Sequence, residues 1–176
     1  MKKAPVIFTI GHSTRSIEDF IEVLKAYQIE EVADVRTIPR SRHNPQFNSD
    51  VLPGSLEKAG IGYLHLKGLG GLRHSLKDSP NAGWHNLSFR GFADYMQTEE
   101  FRENIGKLIT LAGAKRLAVM CAEAVSWRCH RSLIADALTV RGVEVIHISS
   151  GTSRHSHILT PFAKVRGTRM TYPPEV

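Results

Sequence analysis

The chain has 176 residues, 41% apolar and 23% charged, which is the size and balance of one compact domain and too apolar for a disordered segment. Lys and Arg number 23 against 17 Asp and Glu, a net charge of +6, so the long-range field favours anionic partners. No apolar run approaches the ~18 residues of a membrane span and the opening MKKAPVIFTIGHST lacks a leader pattern, so a soluble cytoplasmic protein with no membrane partner is expected.

Val6 to Ile10 is a short apolar run stopped by Gly11 and reads as a strand. Ile17, Phe20, Ile21, Leu24 and Tyr27 then recur at helical spacing behind a Ser16/Asp19 capping pattern. Glu31 to Val35 resumes extended character, and Arg36 to Pro53, with three prolines and no sustained period, reads as a loop. Leu56 and Ala59 suggest a short helix, Ile61 to Leu66 alternates like a strand, and residues 67–88 form a long Gly/Ser/Asn/His loop. Phe89 to Thr98 predicts a short helix, and Phe101, Ile105, Leu108, Ile109 and Ala112 an amphipathic one ending near Gly113. Leu117 to Cys121, apolar on both faces, has the pattern of a strand covered by helices on each side. Leu133, Ile134, Ala137 and Leu138 mark a helix ending before Gly142, and Val143 to Ile148 a last strand. Past Gly151 the sequence is basic and punctuated by prolines, so it is expected to pack irregularly or fray.

Strands alternating with helices predict an α/β fold, a single-domain three-layer sandwich with a largely parallel, Rossmann-like sheet of about five strands. Residues 1–150 form the expected α/β domain and 151–176 a basic C-terminal tail. Ligands in such folds bind beyond the carboxyl ends of the strands, where this chain places Gly11-His12-Ser13-Thr14, Asp34 and Arg36, His65, Cys121 and Glu123, then His147 and Ser149.

The segment from Cys121 to Arg131 joins the apolar strand to a helix, so backbone N–H groups and the positive end of the helix dipole enter the cleft. Arg128 and Arg131 can add contacts to phosphate or carboxylate, and a thiol at a helix start beside cations has a lowered pKa. Cys129 is therefore the better nucleophile candidate, and Cys121, at the end of the strand, reads as buried and inert. Two thiols are too few for a disulfide scaffold and both are expected to be reduced; either can equally be a simple core residue. The phosphatase pattern of Cys, five residues, then Arg is absent. Ligand types for a metal are present, but their spacing names no metal site, and the adjacent Cys129 and His130 are expected to point apart.

Gly11-His12-Ser13-Thr14 sits where a strand passes into a helix and can hold an anionic oxygen, or Ser13 or Thr14 can simply cap the helix. It is neither a dinucleotide fingerprint nor a phosphate loop. His12 has the titration range of a proton carrier. Asp34 with Arg36 can be a substrate clamp or a buried ion pair, and Arg73, His74 and Lys77 add positive charge from the long loop. Trp84 and Trp127 are the aromatic residues placed to act as stacking platforms.

TIGHST at 9–14, DVR followed by PRS at 34–41, GLGG with Arg73, and CAE through CHR at 121–131, in this order, resemble the DUF488 family of small prokaryotic α/β proteins of uncharacterised function. The resemblance implies the fold and places Gly11, His12, Ser13, Asp34, Arg36, Cys121, Glu123, Cys129, His130 and Arg131 among the family's motif positions. It implies no reaction and no cofactor.

Two functional readings follow. The first is an enzyme that binds a phosphate-bearing or nucleotide-like substrate, with Cys129 or Cys121 as nucleophile and His12 or His130 as proton carrier. Gly11, Ser13, Asp34, Arg36, Arg73, Glu123, Arg128 and Arg131 would then bind substrate. The second is a non-catalytic nucleic-acid-binding module, with Arg40, Arg42, Arg73, Lys77, Lys164, Arg166 and Arg169 as its electrostatic footprint.

Overall fold

The computed structural model describes residues 3–175. In chain order it contains β1 (Val6–Gly11), α1 (Ile17–Ala26), β2 (Glu31–Asp34), α2 (Leu52–Lys58), β3 (Gly62–His65), α3 (Leu87–Tyr95) and α4 (Glu99–Ala114). There follow β4 (Leu117–Cys121), α5 (Arg131–Thr139), β5 (Glu144–Ile148), β6 (Arg154–Ser156), β7 (Lys164–Arg166) and β8 (Arg169–Thr171). Side chains that cap helices set three of the starts. Ser16 accepts the Asp19 N–H, Thr98 that of Phe101, and Asn86 those of Ser88 and Phe89, each satisfying donors that a first helical turn leaves unpaired.

The period of two along the strands divides the core. Ile7, Leu117, Val119 and Cys121 face one side, where Phe92, Phe101, Ile105, Leu108 and Leu133 of α3, α4 and α5 cover them. Phe8, Ile10, Ala118 and Met120 face the other, against Phe20 and Leu24 of α1 and Leu52 and Leu56 of α2. The result is the expected three-layer sandwich. Its central sheet has the order β3-β2-β4-β1-β5-β6, five parallel strands with β6 added antiparallel on one edge.

Sequence order and spatial order part company at the middle of this sheet. β4 inserts between β1 and β2, and the chain leaves β1 toward α1 on one face but leaves β4 toward α5 on the other. Two neighbouring strands whose exits diverge to opposite faces open a crevice above their carboxyl ends. The two long loops close its sides. Phe47, in a short 3-10 turn of the 36–51 loop, is fully buried, and the 67–86 loop is pinned by Asp94 of α3. That carboxylate accepts the Leu76 N–H at 2.8 Å and the Asn81 Nδ2–H at 2.8 Å, and Ser79 Oγ donates to it at 2.5 Å.

The tail differs from the irregular or frayed segment expected of it. β6 extends the sheet by pairing with β5, β7 and β8 form a hairpin, and Tyr172 is completely buried. The Tyr172 N–H donates to Asn81 Oδ1 at 2.8 Å, its hydroxyl donates to Asp136 at 2.8 Å, and its ring lies against Trp84 and Phe162. Prolines and charge hid a segment ordered by strand pairing and by one large buried anchor, Tyr172. Tyr172→Ala is expected to destabilise the fold by about 3–5 kcal/mol, as for other buried aromatics cut to alanine, in urea unfolding. A tail that frayed would leave the midpoint unchanged.

Candidate active site

The crevice is a cleft of about 410 Å³, in the range that takes a small molecule. His12 enters it from the end of β1, Arg36 and Arg40 from the loop after β2, Gly71 and Leu72 from the second long loop, and Cys121, Glu123, Arg128, Cys129 and His130 from the passage between β4 and α5. Strand tips far apart in sequence thus meet, but not all of them. His65, at the end of β3, donates Nε2–H to the Arg36 carbonyl at 2.7 Å, and His147, near the end of β5, faces away into a second cavity.

The join between β1 and β4 depends on one glycine. His12 N–H donates to the Cys121 carbonyl at 2.9 Å and Ser13 N–H to the Ala122 carbonyl at 3.0 Å, which draws the β4 exit over the β1 tip. A Cβ on Gly11 would stand 1.6 Å from the Glu123 carbonyl oxygen, so only glycine permits this approach. Ser13 adopts a left-handed φ of 50°, and its carbonyl accepts the His12 Nδ1–H at 2.8 Å. The helix is capped by Ser16, so Ser13 and Thr14 do not serve as the cap.

A carbonyl can only accept, so His12 carries its proton on Nδ1 and turns a lone pair at Nε2 toward Arg36 Nη1, 3.3 Å away. Its ring stacks on Phe47 with centroids 4.3 Å apart, and burial lowers its pKa. Arg36 grips Asp34 through Nε at 2.9 Å and Nη2 at 2.7 Å, and Nη2 also donates to the Phe47 carbonyl at 2.6 Å. Tyr63 donates its hydroxyl to the same carboxylate at 2.5 Å, and burial beside that charge raises its pKa. Asp34 and Arg36 therefore form a buried ion pair that fixes the loop and the imidazole.

The two thiols do not sit apart. Cys121 Sγ and Cys129 Sγ are 2.8 Å from each other, both free, and both border the cleft. His130, expected to point elsewhere, turns Nδ1 toward Cys129 Sγ at 3.5 Å because its Nε2–H is held by the carbonyls of Leu69 at 2.9 Å and Val35 at 3.1 Å. Gly71 makes room for this ring, since a Cβ there would lie 2.7 Å from Nδ1. Arg131 N–H, in the first turn of α5, also donates to Cys129 Sγ at 3.5 Å. The environments drive the pair apart. The hydrogen bond shared with Cys121 and the charges of His130 and Arg131 hold Cys129 well below an ordinary thiol, while burial and the neighbouring sulfur push Cys121 well above one. Cys121 is thus buried, as expected, but Cys129 is buried as well and stands in contact with it.

The other expected residues divide by what they touch. Arg128 and Glu123 are exposed on the cleft. Arg73 is absent from its lining: the guanidinium lies 3.6 Å over the Tyr95 ring and donates to the carbonyls of Gly68 and Gly70. Arg131 is buried, donating to Thr9 Oγ1 at 2.9 Å and the Glu123 carbonyl at 2.8 Å, where it braces the β4 exit from beneath. Of the remaining cations, Arg40 borders the cleft, whereas Lys164, Arg166 and Arg169 project from the β7–β8 hairpin. Trp84 packs among Phe89, Phe162 and Tyr172, and Trp127 is exposed. Among the described residues, no group of three or more His, Cys, Asp or Glu is arranged to hold a metal ion.

Sequence reading missed a polar chain behind the site. Arg131 only donates and Asp136 only accepts, so the hydrogens between them are ordered. Arg131 Nη1 donates to Thr9, Thr9 to His147 Nδ1 at 2.6 Å, His147 Nε2 to His157 at 2.8 Å, and His157 Nε2 to Asp136 at 2.7 Å. Burial, with the charge of Arg131, pushes the His147 imidazole down to about 3. Thr9 and His147, each a polar residue within an apolar strand, are its only trace in the sequence.

A sheet of this topology with polar residues gathered over its switch point defines an α/β protein with a polar cleft at the strand ends. Residues 16–138, well over half the chain, match the family described as domain of unknown function DUF488, and the protein belongs to that family. No curated protein and no solved structure matches it. No helix among the described residues is long and apolar enough to cross a membrane.

Asp34→Asn is expected to cost about 3–5 kcal/mol of stability in urea unfolding, because it leaves the Arg36 charge buried without its partner. Stability also depends on pH through the two buried histidines. In the fold burial lowers the pKa of both, that of His147 to about 3, whereas the unfolded chain takes up their protons near pH 6.5. The unfolding free energy is therefore unaffected by them above about pH 7 and declines as pH falls below about 6.5, by at most about 1.4 kcal/mol per pH unit for each group. Urea midpoints taken from about pH 7.5 down to about pH 4.5 are expected to follow this slope and to flatten in His147→Gln.

Proposed function

We propose that this protein is an enzyme that binds a small anionic substrate, phosphate-bearing or nucleotide-like, in the cleft and attacks it with the Cys129 thiolate. The observation that carries this reading is the setting of Cys129 Sγ, which borders the cleft between His130 Nδ1 and the Arg131 N–H. A thiolate is the nucleophilic form of cysteine, and imidazole, helix N-terminus and the hydrogen bond shared with Cys121 all favour it here. His130 is the proton carrier, because its Nε2 is tied to backbone carbonyls while Nδ1 faces the reacting sulfur. His12, with both nitrogens engaged, is a positioning residue that holds the β1 tip and Arg36.

An anion suits the opening. Arg128 and Arg40 are exposed on the cleft, whereas Arg36, neutralised by Asp34, contributes shape more than charge. Glu123, also exposed at the rim, disfavours anions that approach on its side and selects the direction of entry.

The nucleophile is tested by iodoacetamide alkylation followed by peptide mass mapping. An ordinary thiol loses reactivity about tenfold per pH unit below its pKa of about 8.5, whereas Cys129 is expected to keep most of its rate down to about pH 6 and Cys121 to remain unmodified. Nucleoside phosphates are expected to slow this alkylation, and Arg128→Ala to weaken their protection. Alkylation that follows the profile of an ordinary thiol would overturn the reading.

A further inference from the structure

We propose that Cys121 and Cys129 act together as a dithiol that reduces small disulfides, so that the anionic substrate of the cleft is a low-molecular-weight disulfide whose carboxylates or phosphates meet the same arginines; this rests on Cys129 being the nucleophile. A second thiol in contact with a nucleophilic one has little use in a hydrolytic or group-transfer cycle, where it competes with water or acceptor for the covalent intermediate. It is the group needed to release an adduct bound through sulfur.

Three features fit that task. The Cys121 and Cys129 sulfurs already touch at 2.8 Å, so attack of one on the other needs no movement of β4 or α5. Their roles are distinct: Cys129, with His130 and the Arg131 N–H on it, borders the cleft as the attacking sulfur, while Cys121 keeps its hydrogen between Cys129 and the Glu123 carbonyl, 3.7 Å away. The cleft also offers Arg128 and Arg40 to carboxylates, beside the apolar Ile38, Leu72 and Phe89.

The cycle balances as two-electron exchange. Cys129 thiolate attacks one sulfur of the substrate R–S–S–R, forming Cys129–S–S–R and breaking the substrate S–S bond with release of a first thiolate. Cys121 then attacks Cys129 Sγ, forming the Cys121–Cys129 bond and displacing a second thiolate, which takes the Cys121 proton. The protein thiols are oxidised, the disulfide is reduced to two thiols, and two equivalents of an external thiol, themselves oxidised to a disulfide, restore the pair.

Glutathione disulfide is the probe, applied to the full chain. Trypsin cuts after Arg116, Arg128 and Arg131, so Cys121 lies in the 117–128 peptide and Cys129 in the 129–131 peptide, and a bond between them joins the two. The wild type is expected to lose both free thiols and yield the joined peptides without a retained glutathionyl group. Cys121→Ser is expected to hold one glutathionyl group on Cys129, and Cys129→Ser to acquire none on Cys121. A wild type that keeps a glutathionyl group on Cys129 beside a free Cys121, or that leaves both thiols unmodified, would overturn the dithiol. If Cys129 in that same preparation still alkylates at about pH 6, the nucleophile stands and only the dithiol fails; if it does not, both fail.

Discussion

The close passage of the β4 exit over Gly11 is the constraint on which the site depends. Parallel pairing of β1 with β4 brings Gly11 level with Cys121, and the absence of a side chain lets the Glu123 carbonyl pass where a Cβ would stand. Two backbone bonds, from His12 and Ser13 to the carbonyls of Cys121 and Ala122, then hold the segment. This places Cys121 at the base of the cleft and aims residues 122–128 back toward the sheet. Cys129 consequently returns to meet the strand from which the chain has just departed.

Below that segment, Arg131 acts as a strut. Its side chain joins the Glu123 carbonyl to Thr9 of β1, and its backbone N–H reaches Cys129. A buried guanidinium is costly unless its donors are matched; here Nη1 is matched by Thr9, at the head of the ordered chain through His147, His157 and Asp136, and Nη2 by the Glu123 carbonyl, while Nε has no partner. Asp136 is also where Tyr172 and Thr160 dock, so the C-terminal segment is part of the support for the thiol site. The same carboxylate serves the order of the tail and the placement of the cleft.

Two buried networks thus flank the cysteines. On the other side Asp34, Arg36, Tyr63, Phe47 and His12 form a rigid wall in which every strong donor has an acceptor. Such walls keep reacting groups in place with little reorganisation, which is the condition under which a thiolate and an imidazole remain aligned. The exposed charges of Arg40, Glu123 and Arg128 are left free to meet a ligand.

Much of the fold is legible in local pattern. Alternation and helical period place β1, α1, β4, α4 and α5 within a residue or two, because burial of one face imposes those periods on any chain that packs this way. The gathering of polar residues after the strands likewise marks where a cleft belongs. Other features have no local signature. Nothing near Arg73 reveals that Tyr95 will hold it, nothing near Tyr172 names Asp136, and the basic look of the tail conceals β6. The sequence by itself determined the layers, the strand ends and the residue types available there, since these follow from periodicity and composition. Only the tertiary structure decided that β4 would insert beside β1, that two thiols with seven residues between them would touch, and which arginines would face solvent. Those outcomes depend on contacts between distant segments, and their energies are absent from any one stretch of chain.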